Sequence, residues 1–147
     1  MAPPKPRPKH EGVSPPWEQV DTPRGSFQEI EQLTGQRFPL PYASIENLKE
    51  QGFTSEELYA IVAPRRTLAR RKESGEDLTV AESDRVLRIK HISDMADRIF
   101  GDHEKAQRWL RKRSRVLNEV PVVLLQSETG ARLVEEELHR IDYGIYV

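Results

Sequence analysis

The chain has 147 residues, of which 36% are hydrophobic and 32% charged, and its formal net charge is −1. That length suffices for one domain, or for two very small ones that share a core. Because the sequence contains no cysteine, disulfides, thiol catalysis and cysteine-ligated zinc are excluded. No apolar run approaches the roughly 20 residues that span a bilayer, and the N-terminus lacks the apolar core of a signal peptide. We therefore expect a cytoplasmic protein that has no membrane partner.

Prolines dominate the N-terminal part of the chain, where nine of the eleven fall within residues 1–41. Each proline lacks an amide donor and biases the residue before it toward extended backbone. Residues 1–41 are therefore predicted to form a Pro-rich, disordered arm, with a short helical segment at residues 26–33. A ligand for a proline-binding domain is the alternative role of this arm.

Capping and glycine signals divide residues 42–101 into helices. Thr54 with Glu57, and Thr79 with Glu82, have the spacing of capping boxes. The first predicted helix covers residues 45–51 and is capped by Ser44, and the second follows Thr54 and directs Leu58, Ile61 and Val62 inward. The third covers residues 65–72 and is ended by Gly75. The fourth runs from Thr79 to Gly101, and its inward residues are Val86, Ile89, Ile92, Ala96 and Ile99.

Residues 54–72 have the layout of a helix-turn-helix, with a capped first helix, a tight turn near Pro64 and a second helix rich in arginine. Arginine forks can bind guanine edges at two points, and later cations on such a helix can reach phosphates. The predicted DNA-binding residues are Arg65, Arg66, Thr67, Arg70, Arg71 and Lys72, with Leu68 directed into the protein. The alternative is a solvated basic face that pairs with acidic neighbours such as Glu56, Glu73 and Glu76.

Helix signals and an apolar peptide follow in a fixed order over residues 100–147. Asp102 can cap a helix, Pro121 suits the first position of a short helix, and Ser127 precedes a longer helix that ends at Gly144. The inward residues of these three helices are Ala106, Trp109 and Leu110; Val122, Leu124 and Leu125; and Ala131, Val134, Leu138 and Ile141. Since no segment shows sustained strand-like alternation, the predicted fold class is all-α. The predicted domains are a helix-turn-helix domain at 42–82 and a small helical domain at 83–147.

This ordered set resembles the C-terminal domain of the Xre/MbcA/ParS family of antitoxins. The matching positions are Phe100-Gly101, Ala106, Trp109-Leu110, Pro121, Leu124-Leu125, Gly130-Ala131, Val134-Glu135, Leu138, Arg140-Ile141 and Tyr143-Gly144. The arginine-rich helix is similar to the second helix of the motif in Xre-type antitoxins. Family members often carry a Gly-Gly turn where this chain has Asn118-Glu119, and asparagine tolerates the left-handed backbone that such a turn needs.

The resemblance implies an antitoxin of a type II toxin–antitoxin system whose partners are a cognate RES-type toxin and operator DNA, bound by a homodimer. RES-type toxins consume NAD⁺ or transfer its ADP-ribose, and the family's C-terminal end occludes the toxin's active site. The implied toxin-binding residues are Arg140, Tyr143, Gly144, Ile145, Tyr146 and Val147. A competing interpretation is that Tyr143 and Ile145 fold back to cover Trp109 within the same domain.

The sequence carries no motif for catalysis, such as a glycine-rich phosphate loop, a nucleophile elbow or HExxH. His91 and Asp94 lie three apart, but no second pair completes a metal site. We therefore predict no enzyme activity, no catalytic residue, no metal and no cofactor. A second cluster, with six positive charges in residues 105–115, is predicted to be a solvated helix exterior that could otherwise attract phosphates or an acidic partner.

Two other functions remain open from the residues. One is a stand-alone transcription regulator whose C-terminal domain only forms a dimer, and the other is an adaptor that recruits a partner through the Pro-rich arm. An adjacent toxin gene would separate the first of these from an antitoxin.

Overall fold

The structure is a computed structural model that describes residues 2–4 and 39–144. The segment predicted as helical at residues 26–33, almost all of the Pro-rich arm and residues 145–147 lie outside the described residues. Seven helices lie within residues 39–144: α1 Ala43–Glu50, α2 Ser55–Ile61, α3 Arg65–Ser74, α4 Val80–Phe100, α5 His103–Arg111, α6 Pro121–Leu124 and α7 Glu128–Asp142. No strand occurs in this range, although an isolated antiparallel bridge pairs Ser114 with Glu119. The all-α prediction is confirmed.

Side-chain caps begin four of the helices, as the sequence predicts. Both capping boxes are present, because Thr54 caps α2 with Glu57 and Thr79 caps α4 with Glu82. The Asp102 carboxylate accepts hydrogen bonds from the first amides of α5, and the Ser127 hydroxyl accepts one from the Gly130 amide in α7. These contacts satisfy amides that have no partner inside the helix.

The prediction that Ser44 caps α1 is wrong. The N-cap residue is Tyr42, whose side chain makes no capping hydrogen bond, and Ser44 lies inside the first turn. The Ser44 amide donates to the Pro41 carbonyl at 3.0 Å. The backbone after Pro41 therefore turns two residues earlier than the serine signal indicates.

The long helix α4 lies at the centre of one hydrophobic core. It packs against α5, α7 and α1, and its inward side chains Val86, Ile89, Ile92 and Ala96 are all buried. Buried residues from α1 through α7 belong to the same cluster. The predicted division between residues 82 and 83 falls in the first turn of α4, so both predicted domains share this core. None of the helices within residues 39–144 is long and apolar enough to cross a membrane.

The glycine at the end of α4 has a conformational role. Gly101 adopts a left-handed backbone with φ 66°, and its amide donates to the Asp97 carbonyl at 2.9 Å. Glycine occupies this region without the steric penalty that a Cβ brings. The chain therefore leaves α4 and reaches the Asp102 cap of α5 within two residues.

Gly130 is required for a different reason, which is the close approach of two helices. It lies in the first turn of α7, where a Cβ would overlap the carbonyl oxygen of Leu124 at the end of α6. The Gly130 amide also donates to the Ser127 hydroxyl at 2.9 Å. The short turn between α6 and α7 thus leaves no room for a side chain at this position.

We expect Gly130→Ala to lower the free energy of unfolding by about 1–3 kcal/mol, because the new methyl group must displace backbone rather than a flexible side chain. Urea unfolding followed by circular dichroism measures this change. Glu136→Ala, at an exposed position of the same helix, is the control and should stay within about 0.5 kcal/mol of the parent. Equal stability of the parent and Gly130→Ala would contradict the steric argument.

Candidate functional site

The helix α2, the turn at residues 62–64 and α3 form the predicted helix-turn-helix layout. Leu58 and Val62 are buried, and Leu68 anchors α3 to the core with 2% of its surface exposed. Arg85 of α4 donates a hydrogen bond of 2.9 Å to the Val62 carbonyl. Pro64 is the N-cap residue and α3 starts at Arg65. These contacts fix α3 with one side against the protein and its opposite side in solvent.

The exposed side of α3 carries most of the predicted DNA-binding cations. Arg65, Arg66, Arg70 and Lys72 are exposed, and Thr67 is half-buried. Lys72 Nζ lies 3.6 Å from Glu46 Oε1. Arg65, Arg66 and Arg70 form no ion pair with any residue in the described range. The alternative interpretation, in which neighbouring acids neutralise this face, therefore finds no support at those three positions.

Arg71 lies apart from this exposed group. Its Nε is 2.6 Å from Glu82 Oε1 and its Nη1 is 3.2 Å from Glu76 Oε2, while 12% of its side chain is exposed. The Glu82 carboxylate also accepts the Thr79 amide at 2.9 Å, which caps α4. Arg71 thus holds α3 against the start of α4, and its guanidinium is occupied within the protein.

The environment of Glu82 favours its ionised form. Burial acts to raise the pKa of this carboxyl, but the hydrogen bonds from the Thr79 amide and from Arg71 outweigh burial and lower the pKa below its usual value. The stability gained from this ionisation is present above the pKa of the unfolded carboxyl, and it is lost as the pH falls through the lowered pKa of the folded state.

Arg71→Ala should therefore destabilise the fold by about 3 kcal/mol, because it leaves a buried carboxylate without its cation. Arg70→Ala is the matched control, since it removes the neighbouring arginine from the exposed side of the same helix and should change stability by less than about 0.5 kcal/mol. Urea unfolding at neutral pH measures both variants. If the two variants proved equally stable, the Arg71–Glu82 pair would have no structural role.

The second basic cluster does not form one continuous helix face. The helix α5 ends at Arg111, so Arg115 lies beyond it. Arg111 is directed into the protein, where its Nη2 donates at 2.9 Å both to the Gly52 carbonyl and to Glu57 Oε1. Its guanidinium also lies 5.4 Å from the centre of the Phe53 ring. The prediction of a solvated exterior is wrong for Arg111, because this side chain joins α5 to the start of α2.

His103 makes a second connection at the same end of the bundle, between α5 and the end of α1. Its Nδ1 lies 2.9 Å from an Asp97 carboxylate oxygen, and its Nε2 lies 2.6 Å from the Gln51 carbonyl. The hydrogen bonds to Asp97 and to Gln51 raise the pKa of His103 above its ordinary value, because only the doubly protonated ring can donate to both oxygens. His91 is exposed, and its Nε2 is 3.2 Å from Glu135 Oε1 on α7.

The turn after α5 has the backbone that the sequence predicts. Asn118 is left-handed with φ 56°, and its side-chain oxygen accepts a hydrogen bond of 3.0 Å from Arg113. The Ser114 amide donates to the Glu119 carbonyl at 3.0 Å. An asparagine therefore closes this turn with a left-handed backbone.

The end of α7 presents an exposed aromatic ring. Tyr143 is 75% exposed and stacks on His139 with ring centres 6.3 Å apart. Trp109 packs on Phe100 instead, with ring centres 5.8 Å apart, so the interpretation in which Tyr143 covers Trp109 is wrong. Arg140 donates to Glu137 at 2.9 Å. Gly144 follows with φ 71°, and the predicted toxin-binding residues Ile145, Tyr146 and Val147 lie outside the described residues.

The structure thus separates two groups among the predicted site residues. The exposed cations of α3 form one surface, while Arg140, Tyr143 and Gly144 lie together at the end of α7. Sequence reasoning missed the structural roles of Arg71 and Arg111. Arg71 also pairs with Glu76, one of the acidic neighbours that the sequence indicates. The partners that join helices, Glu82 and Glu57, lie 11 and 54 residues away, and side chains within one helix meet at separations of three or four residues.

Comparison with known proteins gives two matches to family profiles. Residues 95–144 match the antitoxin Xre/MbcA/ParS C-terminal toxin-binding domain, and residues 31–89 match the antitoxin Xre-like helix-turn-helix domain. The interval between the two matches lies inside α4. The C-terminal match begins in α4 and ends at Gly144, so it includes α5, α6 and α7.

Two curated relatives are similar to this chain over more than half of its length. Antitoxin Xre of Pseudomonas putida is 43% identical over 84 residues, which is 56% of this chain and 53% of the relative. Antitoxin Xre of Yersinia enterocolitica is 34% identical over 94 residues, which is 63% of this chain and 64% of the relative. The aligned region thus spans about half of one relative and just under two thirds of the other.

Proposed function

We propose that this chain neutralises a toxin and binds operator DNA, because it belongs to the Xre-type antitoxin family. The observation that carries this proposal is the presence of both family domains, helix-turn-helix and toxin-binding, in one chain. Two exposed surfaces on separate elements, α3 and the end of α7, are consistent with two different partners. The proposal assigns no catalytic residue, metal or cofactor to this chain.

DNA binding is assigned to the exposed side of α3. Arg65, Arg66 and Arg70 carry charges that no described acid neutralises, on the second helix of a helix-turn-helix. In that motif the N-terminal residues of the second helix reach base edges in the major groove, and arginine is the side chain that most often reads guanine there. A homodimer would place two such helices on the two halves of an operator and so permit autorepression.

Toxin binding is assigned to the end of α7 and the residues that follow it. Tyr143 is exposed at this end and Gly144 has the left-handed backbone that turns the chain out of the helix. We infer that the peptide from Arg140 to Val147 occupies the active site of a RES-type toxin that consumes NAD⁺ or transfers ADP-ribose.

Replacing Arg66 and Arg70 together by alanine should weaken operator binding by roughly 2–6 kcal/mol if both side chains contact bases. Fluorescence anisotropy on the promoter fragment of the chain's own gene measures the affinity. The control is Arg98→Ala with Arg132→Ala, which removes two exposed arginines from α4 and α7. Equal affinities of the α3 variant and the parent would remove the base-reading role of α3.

Deletion of Gly144 to Val147 should abolish toxin neutralisation while the unfolding midpoint stays near that of the parent, because the described core ends before these residues. A growth assay with the co-expressed product of the adjacent gene measures protection. Operator binding by the truncated chain is the control for folding and should be retained. Full protection by the truncated chain would refute occlusion by this segment.

A further inference from the structure

We propose that a basic surface on α5 contacts the phosphate backbone of the DNA that α3 binds. This α5 basic surface consists of Lys105, Arg108 and Lys112. The inference rests on the proposed DNA binding and extends it into the part of the chain that matches a toxin-binding domain. It assigns these side chains to DNA contacts, whereas the sequence alone predicts that they form a solvated helix exterior.

The first observation is uncompensated charge. Residues 103–115 contain six lysines and arginines and one carboxylate, that of Glu104. Lys105, Arg108 and Lys112 are all exposed, and none forms an ion pair with a residue in the described range. Lys105 and Arg108 are three residues apart on one face of α5, and Lys112 follows the last residue of this helix as its C-cap. Arg111 differs because Glu57 already neutralises it.

The second observation is the position of this face beside the helix-turn-helix. Arg111 bonds to the Gly52 carbonyl and to Glu57 at 2.9 Å, so the last turn of α5 lies against the start of α2. When a helix-turn-helix binds DNA, its first helix crosses the phosphate backbone while its second enters the groove. Cations held next to α2 are therefore near the expected path of the phosphates.

The third observation is the shape of the surface at this point. An open concavity of about 440 Å³ is lined by Glu104, Gln107, Arg108, Arg111 and Lys112. Among these wall residues Arg108 and Lys112 are exposed cations with no ion pair in the described range, whereas Glu104 is an anion and Arg111 is held by Glu57. Cations of this kind strengthen binding to any duplex and carry no base information.

An acidic surface of the toxin is the competing occupant of these cations. The contacts of α5 favour DNA, because Arg111 and His103 join this helix to the start of α2 and the end of α1, and α2 is the first helix of the helix-turn-helix. The proposed toxin contact lies at the end of α7 and is carried by an aromatic ring and an apolar peptide. DNA is therefore the partner that the charge and the position of the α5 basic surface support together.

The test is the salt dependence of DNA binding by the full-length variant Arg108→Gln with Lys112→Gln. Affinity for the promoter fragment of its own gene, and for an unrelated duplex of equal length, is measured over a series of salt concentrations. We expect the slope of log affinity against log salt to fall by about 0.9 for each phosphate that the variant no longer binds. Both duplexes should weaken by the same factor, so their affinity ratio should match that of the parent.

Three comparisons separate the outcomes. Arg98→Gln with Arg132→Gln removes the same net charge elsewhere and should keep the parental slope, while Arg108→Lys with Lys112→Arg keeps the charge and should also keep it. An unchanged slope in the glutamine variant overturns the inference. If that variant also loses toxin binding, the cations contact the toxin and not DNA. If Arg66→Ala with Arg70→Ala binds the promoter fragment as tightly as the parent does, the proposed DNA binding by α3 is wrong. That result is separate from the slope measured for the α5 variant.

Discussion

The carboxylate of Glu82 connects the helix-turn-helix region to the rest of the fold. It accepts the Thr79 amide and so begins α4, and it also accepts the Arg71 guanidinium at 2.6 Å. A single buried side chain therefore sets both where α4 starts and where α3 lies. Because α4 continues for 21 residues into the C-terminal half, the same contact orients the exposed side of α3 relative to the whole core.

Local signals in the sequence predicted the helices well because their causes are local. Both capping boxes, the Asp102 and Ser127 caps and the end of α4 depend on residues within one turn of each other. The left-handed backbone of Asn118 follows from the same kind of argument. The predicted Ser44 cap was wrong because the Ser44 amide already donates to the Pro41 carbonyl, so that α1 begins before Ser44.

Contacts between distant residues could not be predicted in the same way. The sequence indicates that Arg71 and Arg111 are basic residues on helices, and nothing in their spacing indicates that each meets a buried or half-buried acid on another helix. The exposure of Tyr143 was one of two interpretations, since an aromatic ring near a chain end can either pack or remain free. Tertiary packing decided these cases, and it left Arg65, Arg66 and Arg70 as exposed cations of α3 that have no ion pair in the described range.

The shared core of α4 has a consequence for how the molecule loses its structure. Since buried side chains from the first helix to the last form one cluster, the two halves are expected to melt as one cooperative unit rather than in sequence. An opening that admits a protease to either half would therefore dismantle the other half as well. The proposed contacts with DNA and with a toxin would then be lost in one molecular event.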